Sequence, residues 1–109
     1  MINKRDAEDS AKVTVYIDPD LAGIIPGFLE NRRRDVQILQ TALRQNDMET
    51  IRVVGHRMKG DGGGYGFNTI SAIGETLELA AVRQDRPAIE RLILELNDFL
   101  TRLDVVYER

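Results

Sequence analysis

Residues able to do chemistry concentrate in one short stretch of the 109-residue chain. Its one histidine, His56, is followed at three and four residues by Lys59 and Gly60, and then by Gly62, Gly63, Gly64 and Gly66. An exposed imidazole is largely neutral at pH 7, and its free nitrogen is a good nucleophile towards an acyl phosphate. The phosphoramidate so formed carries negative charge, which the Lys59 ammonium can meet with a charge-assisted hydrogen bond. Glycines beside the histidine leave the surface bare and let another protein's backbone come close. Residue statistics alone offer a second reading, a loop beginning near Gly60. Each glycine costs a helix interior roughly 1 kcal/mol relative to alanine, so Gly60, Gly62, Gly63 and Gly64 oppose its continuation.

Helical geometry sorts these residues. At about 100° per residue, Ile51, Val54, Met58, Gly62 and Tyr65 fall on one core-facing stripe. Arg52, His56, Lys59, Gly60 and Gly63 fall on the opposite side. His56 is therefore expected to face solvent. Arg52 and Val53 lie near it as candidate partner contacts, Val53 as a modest apolar one. Asp61 projects to the side, and no carboxylate lies on the central part of the His56 stripe, so little repulsion of a phosphoryl group is expected.

The elements that position this segment read as helices. Asp18-Pro19-Asp20 has the acceptor, proline and early negative charge of a helix start. Leu21, Ile24, Ile25, Phe28, Leu29, Val36, Leu39 and Leu43 then follow helical spacing, with Pro26-Gly27 dividing a short first helix from a longer second. Asn46-Asp47 marks a turn and the start of the helix bearing His56. Asn68 is expected to cap the next helix, carrying Ile70, Ile73, Leu77, Ala80 and Ala81. Gln84-Asp85-Arg86-Pro87 is a further break. The last helix carries Ile89, Leu92, Ile93, Leu96, Phe99, Leu100, Leu103 and Val106, the strongest amphipathic pattern present. Short connections imply antiparallel neighbours. The expected fold is all-α: an up-and-down antiparallel four-helix bundle with a short additional N-terminal helix. Residues 1–12 read as a flexible leader and residues 13–109 as the bundle. Val13–Ile17 is β-branched and aromatic, but no partner strand is evident, so no sheet is expected.

Composition narrows function. Apolar residues make up 42% and charged residues 30%, an ordinary soluble mixture. The net charge of −3 disfavours binding of nucleic acid through phosphate contacts. With no cysteine and one histidine, thiol nucleophiles, disulfides, zinc–thiolate and multi-histidine sites are excluded. No apolar run could span a bilayer, and no signal-peptide core is present, so the expected location is the cytoplasm, without a membrane partner. P-loop, dinucleotide and nucleophile-elbow motifs are missing. A stand-alone enzyme is not expected.

The segment resembles the signature of histidine phosphotransfer (HPt) domains of two-component phosphorelays: His56, Lys59 and Gly60, with Gly63 and Gly66 seven and ten residues after the histidine. Ile73, Leu77, Glu78 and Ala80-Ala81 resemble that family's next helix, and the similarity covers most of the chain after Asp18. The resemblance implies that the helix continues through the glycines. It implies that His56 is the phosphoacceptor, that Lys59 stabilises the phosphoryl group, and that Gly60 and Gly63 permit docking. The implied partner is a response-regulator receiver domain, which supplies its own Mg²⁺, with a hybrid histidine kinase as a second kind of partner. The carrier itself has neither an ATP-binding element nor a cofactor. Asp61, Gly62 and Gly55 depart from the family's usual residues; Gly62 should remove packing. The rival reading is a non-catalytic helical module that binds a receiver or kinase, or dimerises, without being phosphorylated.

Other features read more simply. Arg32-Arg33-Arg34 spreads around a helix and is expected to be solvated or salt-bridged. Tyr65 and Phe67 are expected to pack at a helix junction. Glu75 and Glu78 read as surface charges or as part of a Glu–Arg pair.

Overall fold

The computed structural model describes residues 11–108. Strand β1 (Val13–Ile17) is followed by a 3₁₀ turn (Pro19–Leu21). Four helices come next: α1 (Ile25–Arg44), α2 (Met48–Gly64), α3 (Asn68–Val82) and α4 (Arg86–Arg102). Strand β2 (Leu103–Tyr107) follows α4 directly. The architecture is the antiparallel four-helix bundle read from the sequence, and α2 runs without a break through its glycines to Gly64.

Three connections of the same form build the bundle. Asn46, Gly66 and Gln84 each adopt positive φ just past a helix end. In each case the next residue's N–H reaches back to a carbonyl of the last turn: Asp47 to Ala42, Phe67 to Gly62 and Asp85 to Ala80. This is the Schellman closure of orphan carbonyls. Asp47 and Asp85 then cap the following helix through their side chains. Each chain reversal thus takes very few residues, which forces sequential helices to lie antiparallel.

The core is aliphatic and continuous. Leu39, Ile51, Met58, Ile70, Leu77, Ile89 and Leu96 are fully buried, drawn from all four helices at their i, i+3, i+4 positions. Phe28 stacks on Phe67 at 5.5 Å and meets Tyr65 at 4.9 Å, closing the end of the bundle where α1 and α3 begin and α2 ends.

Several local expectations are corrected. The short N-terminal helix is only the 3₁₀ turn, its first N–H groups held by Asp18. Pro26 sits in the first turn of α1, where a missing N–H costs nothing. Asn68 does not cap α3; buried Phe67 occupies the cap position with no side-chain hydrogen bond. A sheet is present after all: β1 and β2 pair in parallel, Val13 opposite Leu103 and Ile17 opposite Tyr107. Leu103 and Val106 therefore belong to a strand and not to α4. Of the leader, residues 1–10 lie outside the described residues, and Ala11 and Lys12 are exposed and irregular. Among the described residues no helix is long and apolar enough to cross a membrane.

Candidate functional site

The site begins with the cap of α2. Asp47 Oδ1 accepts from the Thr50 N–H at 3.1 Å, and Thr50 Oγ1 donates to Asp47 Oδ2 at 2.5 Å. These bonds, side chain first, hold the Asp47 carboxyl below its usual range. The cap fixes where α2 starts and hence its angular register. Ile51, Val54, Met58 and Gly62 then face the core, and Tyr65 is half-buried. His56, Lys59, Gly60 and Gly63 are exposed on the other side, as is Val53, while Arg52 is half-buried.

The glycines divide into two sets with different physical roles. A Cβ on Gly60 would meet nothing within 4 Å, so its backbone is open to an approaching protein. A Cβ on Gly63 would touch only Ser71 Oγ, at 3.7 Å. Gly55, Gly62 and Gly74 instead line the α2–α3 contact. A Cβ on Gly74 would lie 2.6 Å from both Gly55 O and Lys59 N, and one on Gly62 would lie 2.7 Å from Ser71 N. Gly62 therefore does not remove packing; it lets the α3 backbone in. The Ser71 hydroxyl donates to Lys59 O at 2.7 Å across the same contact.

That close approach brings Glu78 of α3 to the histidine. His56 Nδ1 lies 2.9 Å from Glu78 Oε2, with the imidazole 69% exposed and the carboxylate 22% exposed. A carboxylate can only accept, so Nδ1 carries the proton and donates. In the neutral imidazole that leaves the lone pair on Nε2, across the ring from Nδ1. The residue-by-residue reading missed Glu78 as a partner of His56, and the expectation of no nearby carboxylate holds only within α2. Lys59 Nζ lies 3.7 Å from Glu75 Oε1, one turn earlier on α3.

The remaining charges face elsewhere. Arg52 donates to Glu49 through Nε at 3.0 Å and an Nη at 2.6 Å, which lowers the Glu49 pKa and raises that of Arg52. Arg32 is not solvated: it is 7% exposed and lies over the Phe28 ring. Its Nε is 2.9 Å from Asp35 Oδ2, in ion-pair contact without hydrogen-bond alignment, and its Nη1 is 3.5 Å from Asp61. Burial raises the Asp35 pKa, outweighing the attraction of Arg32 and Arg57. Asp61 is thereby turned towards α1 and away from His56. Arg33 pairs loosely with Glu30, and Arg34 is exposed. Among the described residues no group of three or more His, Asp or Glu side chains could hold a metal ion.

The Hpt domain family model matches residues 24–105, a span that contains all four helices and most of β2. The chain belongs to the Hpt domain family. Members of that family are phosphotransfer modules of phosphorelays, carriers and not kinases, which interact with receiver domains and kinases. No curated protein and no solved structure matches the chain.

Proposed function

We propose that this chain accepts a phosphoryl group on His56 from a receiver domain's aspartyl phosphate and passes it on, as a cytoplasmic relay intermediate acting through residues 13–109. The observation that carries this reading is the Nδ1 contact to Glu78 on a histidine that is 69% exposed, beside Gly60 and Gly63, which leave the adjoining helix surface low.

The step is an in-line displacement. The Nε2 lone pair forms the bond to phosphorus as the bond from phosphorus to the aspartate oxygen breaks, and the receiver recovers its carboxylate. Nδ1 keeps its proton, and Glu78 offsets the positive charge that the ring acquires. Lys59 supplies an ammonium to the phosphoryl oxygens. Gly60 and Gly63 admit the receiver's backbone, and Arg52 and Val53 border the same surface. The Mg²⁺ belongs to the receiver.

The test is transfer from a panel of phosphorylated receivers to wild type and His56→Gln, read by intact mass. One acid-labile phosphoryl group on wild type alone is expected, with unchanged melting of the variant because His56 lies off the core. Phosphate on His56→Gln would end the proposal.

A further inference from the structure

Two basic side chains one turn apart on α2, His56 and Lys59, face two carboxylates one turn apart on α3, Glu78 and Glu75. The two contacts differ in kind. Glu78 is 22% exposed and bonded at 2.9 Å to Nδ1, the ring nitrogen that the proposed transfer does not use. Glu75 is 56% exposed and stands 3.7 Å from Lys59 Nζ, a loose pair in water. The lysine stem is flexible and its ammonium carries three donors, so it can leave Glu75.

A phosphoryl group on Nε2 would bring close to two negative charges and three acceptor oxygens to this surface. It would then compete with Glu75 for the Lys59 ammonium. Arg52 is held by Glu49 along its own helix, and Asp61 lies 3.5 Å from Arg32.

We propose that Glu75 is a positioning residue that acts through Lys59. It holds the ammonium while His56 is free and draws it from the phosphoryl group afterwards, which shortens the life of the phosphohistidine. A carrier has to release its cargo, and this competition limits how firmly Lys59 retains it. The inference rests on the reading of His56 as acceptor and Lys59 as the phosphoryl group's partner.

The experiment uses the full chain and potassium phosphoramidate, which needs no receiver. Nε2 forms the bond to phosphorus, the reagent's P–N bond breaks, and ammonia leaves. His56 is the one histidine, so the labelled imidazole is unambiguous. Decay at pH 7 is then followed by intact mass. Water adds to phosphorus, the P–Nε2 bond breaks with its electron pair returning to the ring, and inorganic phosphate is released. Glu75→Gln should decay roughly two- to fivefold more slowly than wild type, the scale of an exposed ion pair. Lys59→Ala should decay faster, and the double variant should match Lys59→Ala. Thermal melting of Glu75→Gln should equal that of wild type.

Decay of Glu75→Gln at the wild-type rate, with Lys59→Ala still faster, overturns the role of Glu75 alone. Equal slowing by Glu75→Gln in the Lys59→Ala background also overturns it, since Glu75 would then act by direct repulsion. Wild-type decay in Lys59→Ala removes the role of Lys59 and the inference with it. Failure of wild type to take phosphate on His56 overturns the proposed function itself.

Discussion

Glu78 Oε2 stands 2.9 Å from His56 Nδ1 although the two residues are 22 positions apart and on different helices. A carboxylate has no hydrogen to give, so the contact favours the tautomer with the proton on Nδ1. An exposed imidazole without such a partner would divide its population between tautomers. Glu78→Ala should therefore slow phosphate acceptance by about tenfold or more, the scale of one charge-assisted hydrogen bond. Glu78→Gln, whose amide oxygen still accepts, should retain most of the rate. Nitrogen-15 NMR of the imidazole gives an independent check: a single Nδ1–H tautomer in wild type and a mixture in Glu78→Ala.

Glycine-to-alanine changes on the two sides of the α2–α3 pair should have opposite effects on stability. Gly60→Ala adds a Cβ into open space within a helix, and should stabilise the chain by roughly 1 kcal/mol. It should also slow transfer from a receiver, because the bare surface beside His56 is filled. Gly74→Ala drives a Cβ into the α2 backbone and should cost about 1–3 kcal/mol. Urea melts and transfer rates on the two variants separate the effects. A Gly60→Ala variant that transfers at the wild-type rate would remove Gly60 from the docking surface.

The Asp47 cap makes a pH-dependent contribution. Its folded-state pKa is lowered by the two bonds to Thr50. Stability from a lowered carboxyl is present above the unfolded value, about 3.9 for aspartate, and is lost as pH falls through the folded value. Asp47→Ala should thus melt below wild type at pH 7, and the gap should close as the pH is brought below about 4. A gap that stays constant as the pH falls well below that value would show that the charge of Asp47 plays no part.

Arg32 should matter far more than a surface arginine. Arg32→Met leaves Asp35 buried without its nearest cation and should cost about 3 kcal/mol. Asp35 already has a raised pKa, so in the window between its unfolded and folded values the folded state holds the proton more tightly. Stability from such a group falls as pH rises through that window and recovers on acidification. Losing Arg32 raises the Asp35 pKa further and widens the window, so the deficit of Arg32→Met should shrink as the pH is lowered from neutral towards the ordinary carboxylate range. Thermal melts across that range check the sign.

The stripe Ile51, Val54, Met58, Gly62 was legible because helix periodicity is local, and the outward position of His56 followed from the same wheel. The turns at Asn46-Asp47 and Gln84-Asp85 were legible because Asn46 suits positive φ and Asp47 and Asp85 suit capping, although the positive φ of Gln84 was not. Glu78 was not legible as a histidine partner: only the depth of the Gly55–Gly74 contact, a matter of two helices together, brings it within reach. Gly74 four residues earlier was the available signal. The strand β2 was hidden because Leu103 and Val106 continue the spacing of Phe99 and Leu100, although Val105-Val106-Tyr107 carries β propensity. Arg32 reads like its neighbours Arg33 and Arg34 along the chain, whereas in the fold it lies over Phe28 between Asp35 and Asp61, the latter from another helix.

The parallel pair of β1 and β2 has a kinetic meaning. The helices gain their contacts from neighbours along the chain, through very short reversals, and can assemble early. Val13 and Leu103 must close a loop that spans nearly the whole chain before their ladder forms, an entropic cost the helix pairs do not bear. The ladder should be the last part to zip and the first to open. Amide protons of β1 should exchange with solvent ahead of those in α2. A piece cut at residues 24–105 would lose β1 and the end of β2, removing Ile17 from its seat against Gly66 at the foot of the histidine helix.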